Sequence, residues 1–172
     1  LAIDKIKDTA SSHRRAFIIE VMGRHSGYLA MMSGIAGGAE AVIVPEFPVD
    51  LDIVCNKLKE GYQRGKSHGI LLVAEGAGDV YKIKKMMEDK ISFQMRVTIL
   101  GHLQRGGSPS SFDRILGSRL GLEAVEQLIK KNDHHMVGLC GNETKTIPLT
   151  QVLAKKKRLK KPIYDLADIL AK

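Results

Sequence analysis

The sequence predicts an α/β fold in which a mainly parallel β-sheet is flanked by helices. Short, continuous apolar runs alternate with helix-type patterns along most of the 172 residues. The runs lack polar alternation, which is typical of strands covered on both faces. Each pair of runs is separated by enough residues for a right-handed crossover helix between parallel strands.

The predicted elements follow one another in a regular order. The strands are predicted at Ala16–Val21, Ala41–Val44, Gly69–Ala74, Val97–Leu100 and Met136–Cys140. The helices are predicted at Gly27–Ile35, Leu51–Arg64, Val80–Lys90 and Ser111–Lys130. Asp50 and Asp79 stand where a side chain can cap the second and third of these helices. The first seven residues suggest a single helical turn.

The pattern changes after Gly106–Pro109, which predicts that the chain leaves one domain there and enters a second α/β domain. After the long helix and the last apolar strand we expect a Gly141-Asn142 turn and a short strand at Thr144–Ile147. A basic linker and a final helix at about Ile163–Leu170 complete the predicted order.

Composition narrows the possible functions. The net charge is +8, but the chain has no Trp and only 5% aromatic residues, so base-stacking surfaces are scarce and nucleic-acid binding is disfavoured. The densest basic run, Lys155–Lys161, is interpreted as a solvated linker or helix end. No apolar run approaches the ~20 residues of a membrane span. Cys55 and Cys140 show no paired spacing, so we expect reduced packing residues and a cytoplasmic protein.

Polar residues collect where three predicted strands end. The first strand continues into Met22-Gly23-Arg24, the third into Glu75-Gly76-Ala77-Gly78, and the fourth into Gly101-His102-Leu103-Gln104-Arg105. These loops share the carboxyl edge of a parallel sheet, where ligands usually bind. Arg and His can hold a phosphate, Glu can accept hydroxyl hydrogen bonds, and Gly permits close backbone approach. The glycine pair after Arg105, interpreted as the mouth of the next helix, adds backbone N–H groups. The set predicts a site for a phosphorylated polyol.

A second cluster lies at the opposite edge of the sheet. It consists of Lys7, the segment Gly37-Gly38-Ala39-Glu40 and the segment Arg64-Gly65-Lys66-Ser67-His68. One interpretation is a second anion site, in which Glu40 belongs to a metal-linked diphosphate site or an internal ion pair. The other is ordinary cations at helix C-termini, which complement the helix dipole.

Arg15 and Arg96 stand at the starts of the first and fourth strands. A strand of five or six residues spans roughly 17–20 Å, so neither side chain should easily reach the carboxyl-edge site of its own chain. They are either surface charges or residues that serve the site of a neighbouring subunit.

Eight motifs, in family order and across nearly the whole chain, closely resemble those of the bacterial-type 6-phosphofructokinase family. They are Ser11-Ser-His-Arg-Arg15, Glu20-Val-Met-Gly-Arg24, Ala36-Gly-Gly-Ala-Glu40, Val44-Pro-Glu46, Arg64-Gly-Lys-Ser-His68, Ala74-Glu75-Gly76, Leu100-Gly-His-Leu-Gln-Arg-Gly-Gly-Ser-Pro109 and Phe112-Asp-Arg-Ile-Leu-Gly-Ser-Arg-Leu-Gly121. The resemblance implies a phosphofructokinase-like fold.

The resemblance also implies two sets of binding residues. Those expected to bind fructose 6-phosphate are Met22, Gly23, Arg24, Glu75, His102, Leu103, Gln104 and Arg105, with Arg15 and Arg96 reaching the sugar phosphate from an adjacent subunit. Those expected to bind an allosteric effector, ADP or phosphoenolpyruvate, are Lys7, Gly38, Ala39, Glu40, Arg64, Lys66, Ser67 and His68. Arg is common in the family where Lys7 stands and Lys where Ser67 stands, which makes effector affinity less certain than substrate binding.

On this resemblance, residues 1–104 are a fructose 6-phosphate-binding domain, incomplete at its N-terminus. Residues 105–155 are the returning segment of a nucleotide domain, and residues 156–172 are a C-terminal linker and helix. The family transfers the γ-phosphoryl group of ATP, with Mg2+, to fructose 6-phosphate, and we expect a cytoplasmic homotetramer. The chain contains no Gly-Gly-Asp-Gly-Ser-type nucleotide loop and no Thr-Ile-Asp-Asn-Asp-type segment carrying the catalytic base. We therefore expect the C-terminal half of such an enzyme, with no catalytic base of its own and Mg2+ bound mainly by the other half. A pyrophosphate-dependent enzyme and a non-catalytic sugar-phosphate-binding fragment remain alternatives.

Overall fold

The computed structural model of the chain describes residues 1–10, 15–155 and 159–170. These residues form two units, one of residues 1–104 and 159–170 and the other of residues 105–155. The Ser11–Arg14 part of the first family motif and the centre of the basic run lie outside the described residues.

The first unit is built on a four-stranded parallel sheet. Its elements, in chain order, are α1 (Ala2–Ala10), β1 (Arg15–Val21), α2 (Tyr28–Gly37), β2 (Ala41–Ile43), α3 (Leu51–Gln63), β3 (His68–Ala74), α4 (Val80–Glu88) and β4 (Met95–Ile99). Two short 3-10 helices follow β3 and β4, at Glu75–Ala77 and Gly101–Gln104. The C-terminal helix α7 (Lys161–Leu170) also belongs to this unit. The strand order is β2-β3-β1-β4. This arrangement confirms the predicted mainly parallel sheet flanked by helices.

Apolar side chains cover both faces of this sheet. On one face Ile18 and Leu71 pack with residues of α3 and α4, including Leu58 and Met87. On the other face the strands pack with Met31 and other residues of α1, α2 and α7. The central strands are buried on both sides, which explains why their sequences read as unbroken apolar runs.

The second unit consists of α5 (Ser111–Ile129), a β5–β6 hairpin (His135–Cys140 and Glu143–Pro148) and α6 (Leu149–Ala154). None of its described residues is buried. Cys140 is exposed at the end of β5, so the prediction that it packs in a core is wrong for this unit, whereas Cys55 is buried as predicted. The C-terminal helix, α7, spans Lys161–Leu170.

Except at the N-terminal turn, each predicted strand or helix boundary lies within two residues of the boundary in the structure. Asp50 and Asp79 cap α3 and α4 as predicted, accepting backbone N–H groups of the first turn. The N-terminal turn is longer than expected, because α1 runs for nine residues. Helix α6 was not predicted, since its six residues are too short for a clear helical period.

Candidate functional site

The turn after β1 is the centre of the carboxyl-edge site. It comprises residues 22–27 and leads from the buried end of β1 into α2. Arg24 has a φ of 52°, in the left-handed region that non-glycine residues rarely adopt, and its side chain is exposed. The Ser26 N–H donates to the Gly23 carbonyl oxygen at 3.0 Å, which closes the turn. The fold thus presents an arginine side chain from a tight, defined turn.

Glu75, which directly follows β3, is hydrogen-bonded to this turn. Its Oε1 accepts the N–H of Gly23 at 3.1 Å and also the N–H of Arg24. The next residue, Gly76, approaches the turn so closely that a Cβ atom there would lie 2.0 Å from the Arg24 carbonyl oxygen. Only glycine permits this contact between the two backbones.

Gln104, in the segment after β4, is hydrogen-bonded to the same turn. Its Oε1 accepts the Met22 N–H at 2.8 Å. His102 and Leu103 lie on the same 3-10 helix as Gln104 and are exposed. Side-chain oxygens that follow β3 and β4, the two strands on either side of β1, therefore accept three consecutive backbone N–H groups of the turn.

The structure brings together five of the residues that the sequence predicts for the sugar-phosphate site. They are Met22, Gly23, Arg24, Glu75 and Gln104. Arg105 is the first residue of the second unit, so its role stays a prediction. Helix α5 begins at Ser111, as predicted, so Gly106 and Gly107 lie four or more residues before it. The Ser110 N-cap forms a capping box with Asp113, which already uses the N–H groups of Ser110 and Asp113.

Arg15 and Arg96 lie at the opposite end of the sheet. Arg15 is the first residue of β1 and is paired in register with His68, the first residue of β3. Arg96 is the second residue of β4 and is paired with Phe17. At about 3.3 Å per residue, β1 places Arg15 roughly 20 Å from the turn that contains Arg24. Arg96, paired with Phe17, stands four residues, or about 13 Å, before the end of β1 at Val21.

Acidic side chains surround the base of the turn. The pKa of Glu20, near the end of β1, is raised above its ordinary value by burial and then by the nearby charges of Glu75 and Asp79. Glu46, in the loop after β2, accepts the Gly27 N–H with both carboxylate oxygens at 3.0 Å. Neither Glu20 nor Glu46 received a role from the sequence, although both lie within family motifs.

The second predicted cluster, made of Lys7, residues 37–40 and residues 64–68, lies at the amino edge of the sheet and is called the amino-edge cluster. Glu40 is buried, and its Oε2 accepts the Ile70 N–H at 2.5 Å while its Oε1 lies 3.5 Å from the Lys66 Nζ. A Cβ on Gly38, which has a φ of 61°, would lie 3.1 Å from the Lys7 Nζ. Two lysines thus flank the segment that contains Gly38, Ala39 and Glu40.

The remaining predicted members of that cluster lie at or before the start of β3. Arg64 is the C-cap of α3 and its Nε donates to the Glu60 carbonyl oxygen at 3.4 Å. Ser67 Oγ lies 3.3 Å from His68 Nδ1. The Lys66–Glu40 contact supports the internal ion pair that was one of the alternatives from sequence.

The described residues offer no metal centre. They include no group of three or more His, Cys, Asp or Glu side chains that could hold a metal ion. We assign no step to a metal held by these residues. Within the same part of the chain, no helix is both long and apolar enough to span a bilayer.

Comparison with known proteins gives one consistent result. The family model described as Phosphofructokinase matches residues 1–128. The chain is 48% identical to the "ATP-dependent 6-phosphofructokinase" of Halothermothrix orenii, an alignment that covers 98% of the chain and 54% of the relative. It is also 48% identical to the protein of that name from Thermotoga neapolitana, covering 99% of the chain and 53% of the relative. The chain spans about half the length of these curated relatives.

A solved structure shows the same fold. The phosphofructokinase structure from Saccharomyces cerevisiae superimposes with a TM-score of 0.80 at 33% sequence identity, covering 99% of this chain and 24% of that one.

Proposed function

We propose that this chain, which belongs to the phosphofructokinase family, supplies the fructose 6-phosphate site of an ATP-dependent 6-phosphofructokinase. The observation that carries the proposal is the turn after β1. Backbone N–H groups of Met22, Gly23 and Arg24 are held by Gln104 and Glu75, so that the Arg24 side chain is presented at the carboxyl edge of the sheet. The names of the relatives at 48% identity favour ATP over pyrophosphate as the phosphoryl donor.

Within this function, Arg24 binds negative charge on the sugar phosphate or on the transferring phosphoryl group. Charge-assisted bonds from a guanidinium are strong and geometrically specific, and a preorganised donor stabilises developing charge without moving. His102 and Arg105 complete the phosphate ligands, and Met22, Gly23, Leu103, Gln104 and Glu75 shape the sugar site. The general base, the ATP loop and Mg2+ belong to the rest of the enzyme, since phosphoryl transfer depends on positioning of several such parts.

Arg15 and Arg96 serve the site of an adjacent subunit in this proposal. Their place near the strand starts is what supports it, because Arg15 stands a full strand length, and Arg96 about 13 Å, before the end of β1 that leads into the turn. The proposal requires a symmetric assembly, which we take to be a cytoplasmic homotetramer.

The amino-edge cluster is proposed to bind an anionic effector such as ADP or phosphoenolpyruvate. The support is the gathering of Lys7 and Lys66 around Gly38, Ala39 and Glu40, with Arg64, Ser67 and His68 at the same edge. A glycine with positive φ beside an ammonium group allows a phosphate to approach the backbone closely.

A crossed calorimetric experiment tests both sites on the 172-residue chain. Arg24→Ala and Lys66→Ala each remove one positive charge, from opposite edges of one sheet. We expect Arg24→Ala to weaken fructose 6-phosphate binding about tenfold or more and to leave ADP binding unchanged, because a lost charge-assisted hydrogen bond costs about 1.5–3 kcal/mol. Lys66→Ala should show the reverse pattern. Equal effects of Arg24→Ala and Lys66→Ala on fructose 6-phosphate binding would contradict the assignment.

A further inference from the structure

The motif Val44-Pro45-Glu46 follows β2, and no role in binding comes to it from the resemblance. The structure places its last residue against the N-terminus of α2. Both carboxylate oxygens of Glu46 lie 3.0 Å from the Gly27 N. Gly27 is the N-cap of α2 and has no side chain that could cap this end, where the Ser26 Oγ accepts the Tyr28 N–H at 3.3 Å. A carboxylate at a helix N-terminus is stabilising, because it complements the positive end of the helix dipole.

The fit between this motif and Gly27 is close. A Cβ on Gly27 would lie 2.3 Å from Val44 Cγ1 and 2.8 Å from Glu46 Oε2. Val44 is itself buried in the core of that face of the sheet. The end of the turn is therefore pressed against a fixed surface, and its position depends on the segment after β2.

The turn that carries Arg24 is held at both ends. At its start, Gln104 and Glu75 accept the N–H groups of residues 22–24. At its end, Glu46 accepts the N–H of Gly27, only three residues after Arg24. Arg24 has a left-handed backbone conformation, which a non-glycine residue keeps only where the surrounding structure enforces it. Releasing one end of so short a turn would let Arg24 relax toward ordinary backbone angles.

We propose that Glu46 is a positioning residue for sugar-phosphate binding, which it promotes by holding Gly27 and thereby fixing the left-handed conformation of Arg24. Glu46 acts through the turn and contacts the N–H of Gly27 rather than the ligand. The effect on ligand affinity rests on the proposed function, whereas the effect on the conformation of the turn does not.

Three variants of the full 172-residue chain test this inference. Glu46→Ala removes the acceptor, and Glu46→Gln keeps one oxygen that can accept the Gly27 N–H. Asp50→Ala is the matched control, because Asp50 also follows β2 and caps a helix, accepting the Asp52 N–H at 2.8 Å, but does not contact the turn. Two quantities are measured, the affinity for fructose 6-phosphate by calorimetry and the hydrogen-exchange protection of the Arg24 amide by NMR.

We expect Glu46→Ala to weaken fructose 6-phosphate binding about tenfold, the scale of one lost charge-assisted hydrogen bond. Glu46→Gln should recover much of that loss. The Arg24 N–H donates a hydrogen bond to the Glu75 carboxylate. Its protection from hydrogen exchange should fall in Glu46→Ala and stay unchanged in Asp50→Ala. A loss that appears equally in Asp50→Ala would assign Glu46 to general helix capping and overturn the inference.

The two measurements separate this inference from the proposed function. If the unaltered chain alone binds no fructose 6-phosphate, the Arg24 amide decides the role of Glu46, and the activity of the complete enzyme decides the proposed function. If the chain binds the sugar phosphate and Glu46→Ala binds it equally well, the positioning role is wrong and the proposed function stands. If Glu46→Ala fails to fold, Glu46→Asp replaces it, because its carboxylate is one methylene shorter and loses its reach to the Gly27 N–H. Wild-type protection of Arg24 with unchanged affinity, in Glu46→Ala or in that replacement, overturns the inference.

Discussion

Gly76→Ala should damage the sugar-phosphate turn more than any other single added methyl group at the carboxyl edge. The new Cβ would lie 2.0 Å from the Arg24 carbonyl oxygen, 3.1 Å from its carbonyl carbon and 3.4 Å from the His25 Cα. All three are backbone atoms, so no side-chain rotation relieves the overlap. Since Cβ contacts under 3.0 Å essentially never occur, the two backbones must separate by about 1 Å.

That displacement acts directly on the bonds that hold the turn. The Glu75 Oε1 lies 3.1 Å from the Gly23 N, and a further ~1 Å would take this contact beyond hydrogen-bonding distance. Losing a hydrogen bond to a charged group costs about 1.5–3 kcal/mol, which corresponds to roughly a 10- to 150-fold change in an equilibrium constant. Overpacking also costs about 1–3 kcal/mol of folding free energy. We therefore expect about 100-fold weaker fructose 6-phosphate binding and a lower melting temperature.

Calorimetry and thermal unfolding followed by circular dichroism measure these two effects on the 172-residue chain. Gly61→Ala is the control, because it adds the same methyl group within α3 of the same unit, where the new Cβ would meet the flexible Lys66 side chain at 3.4 Å from its Cδ. We expect Gly61→Ala to keep wild-type affinity and to be at least as stable, since Ala is the better helix former. Wild-type affinity and stability in Gly76→Ala would refute the close approach of Gly76 and Arg24.

Three further results are expected. Glu20→Gln should stabilise the chain at neutral pH, because burial and then the charges of Glu75 and Asp79 raise the pKa of Glu20 and make its ionised form unfavourable in the fold. This advantage should be lost as the pH falls through the raised pKa toward 4.5, and melting temperatures that show no gain at neutral pH would contradict it. Glu88→Ala should cost about 1–3 kcal/mol at pH 7, since the Met95 N–H loses its acceptor at 2.9 Å. Hydrogen bonds from Lys84 and then Met95 lower the pKa of Glu88, so its contribution to folding stability is present above pH 4.5 and lost as the pH falls through the lowered pKa. Chemical denaturation that gives the same stability difference between wild type and Glu88→Ala at every pH would contradict this. In the intact enzyme, mixing Arg96→Ala subunits with Arg24→Ala subunits should restore part of the activity, because some sites then combine both arginines; no recovery despite proven subunit exchange would place both arginines in one subunit's site.

The sheet could be predicted from the sequence because burial on both faces leaves a strong apolar signal in β1 and β3. The carboxyl-edge residues could be predicted as a group, since loops that follow parallel strands share one edge. The individual bonds could not. That the Glu75 carboxylate accepts backbone N–H groups of the turn depends on atomic distances, which no spacing in the sequence encodes.

Glu46 shows a different limit. Its contact with Gly27 depends on the strand order β2-β3-β1-β4, in which the loop after β2 meets the N-terminus of α2 rather than the next strand. Helix α6 was missed for a local reason, because six residues give too little periodicity. Long-range topology and short elements were therefore the parts that local patterns could not supply.

The most direct test of the proposed function is a coupled assay for fructose 1,6-bisphosphate on a hybrid enzyme. The hybrid joins the N-terminal part of the Thermotoga neapolitana relative to this chain, so that the 172 residues replace the matching part of the relative. We predict that the hybrid phosphorylates fructose 6-phosphate with ATP and that Arg24→Ala lowers its kcat/KM by at least about tenfold. The 172-residue chain alone should show no turnover, because it contains no nucleotide loop and no catalytic base of the family type. A folded hybrid without activity, or one that Arg24→Ala leaves unchanged, would contradict the account.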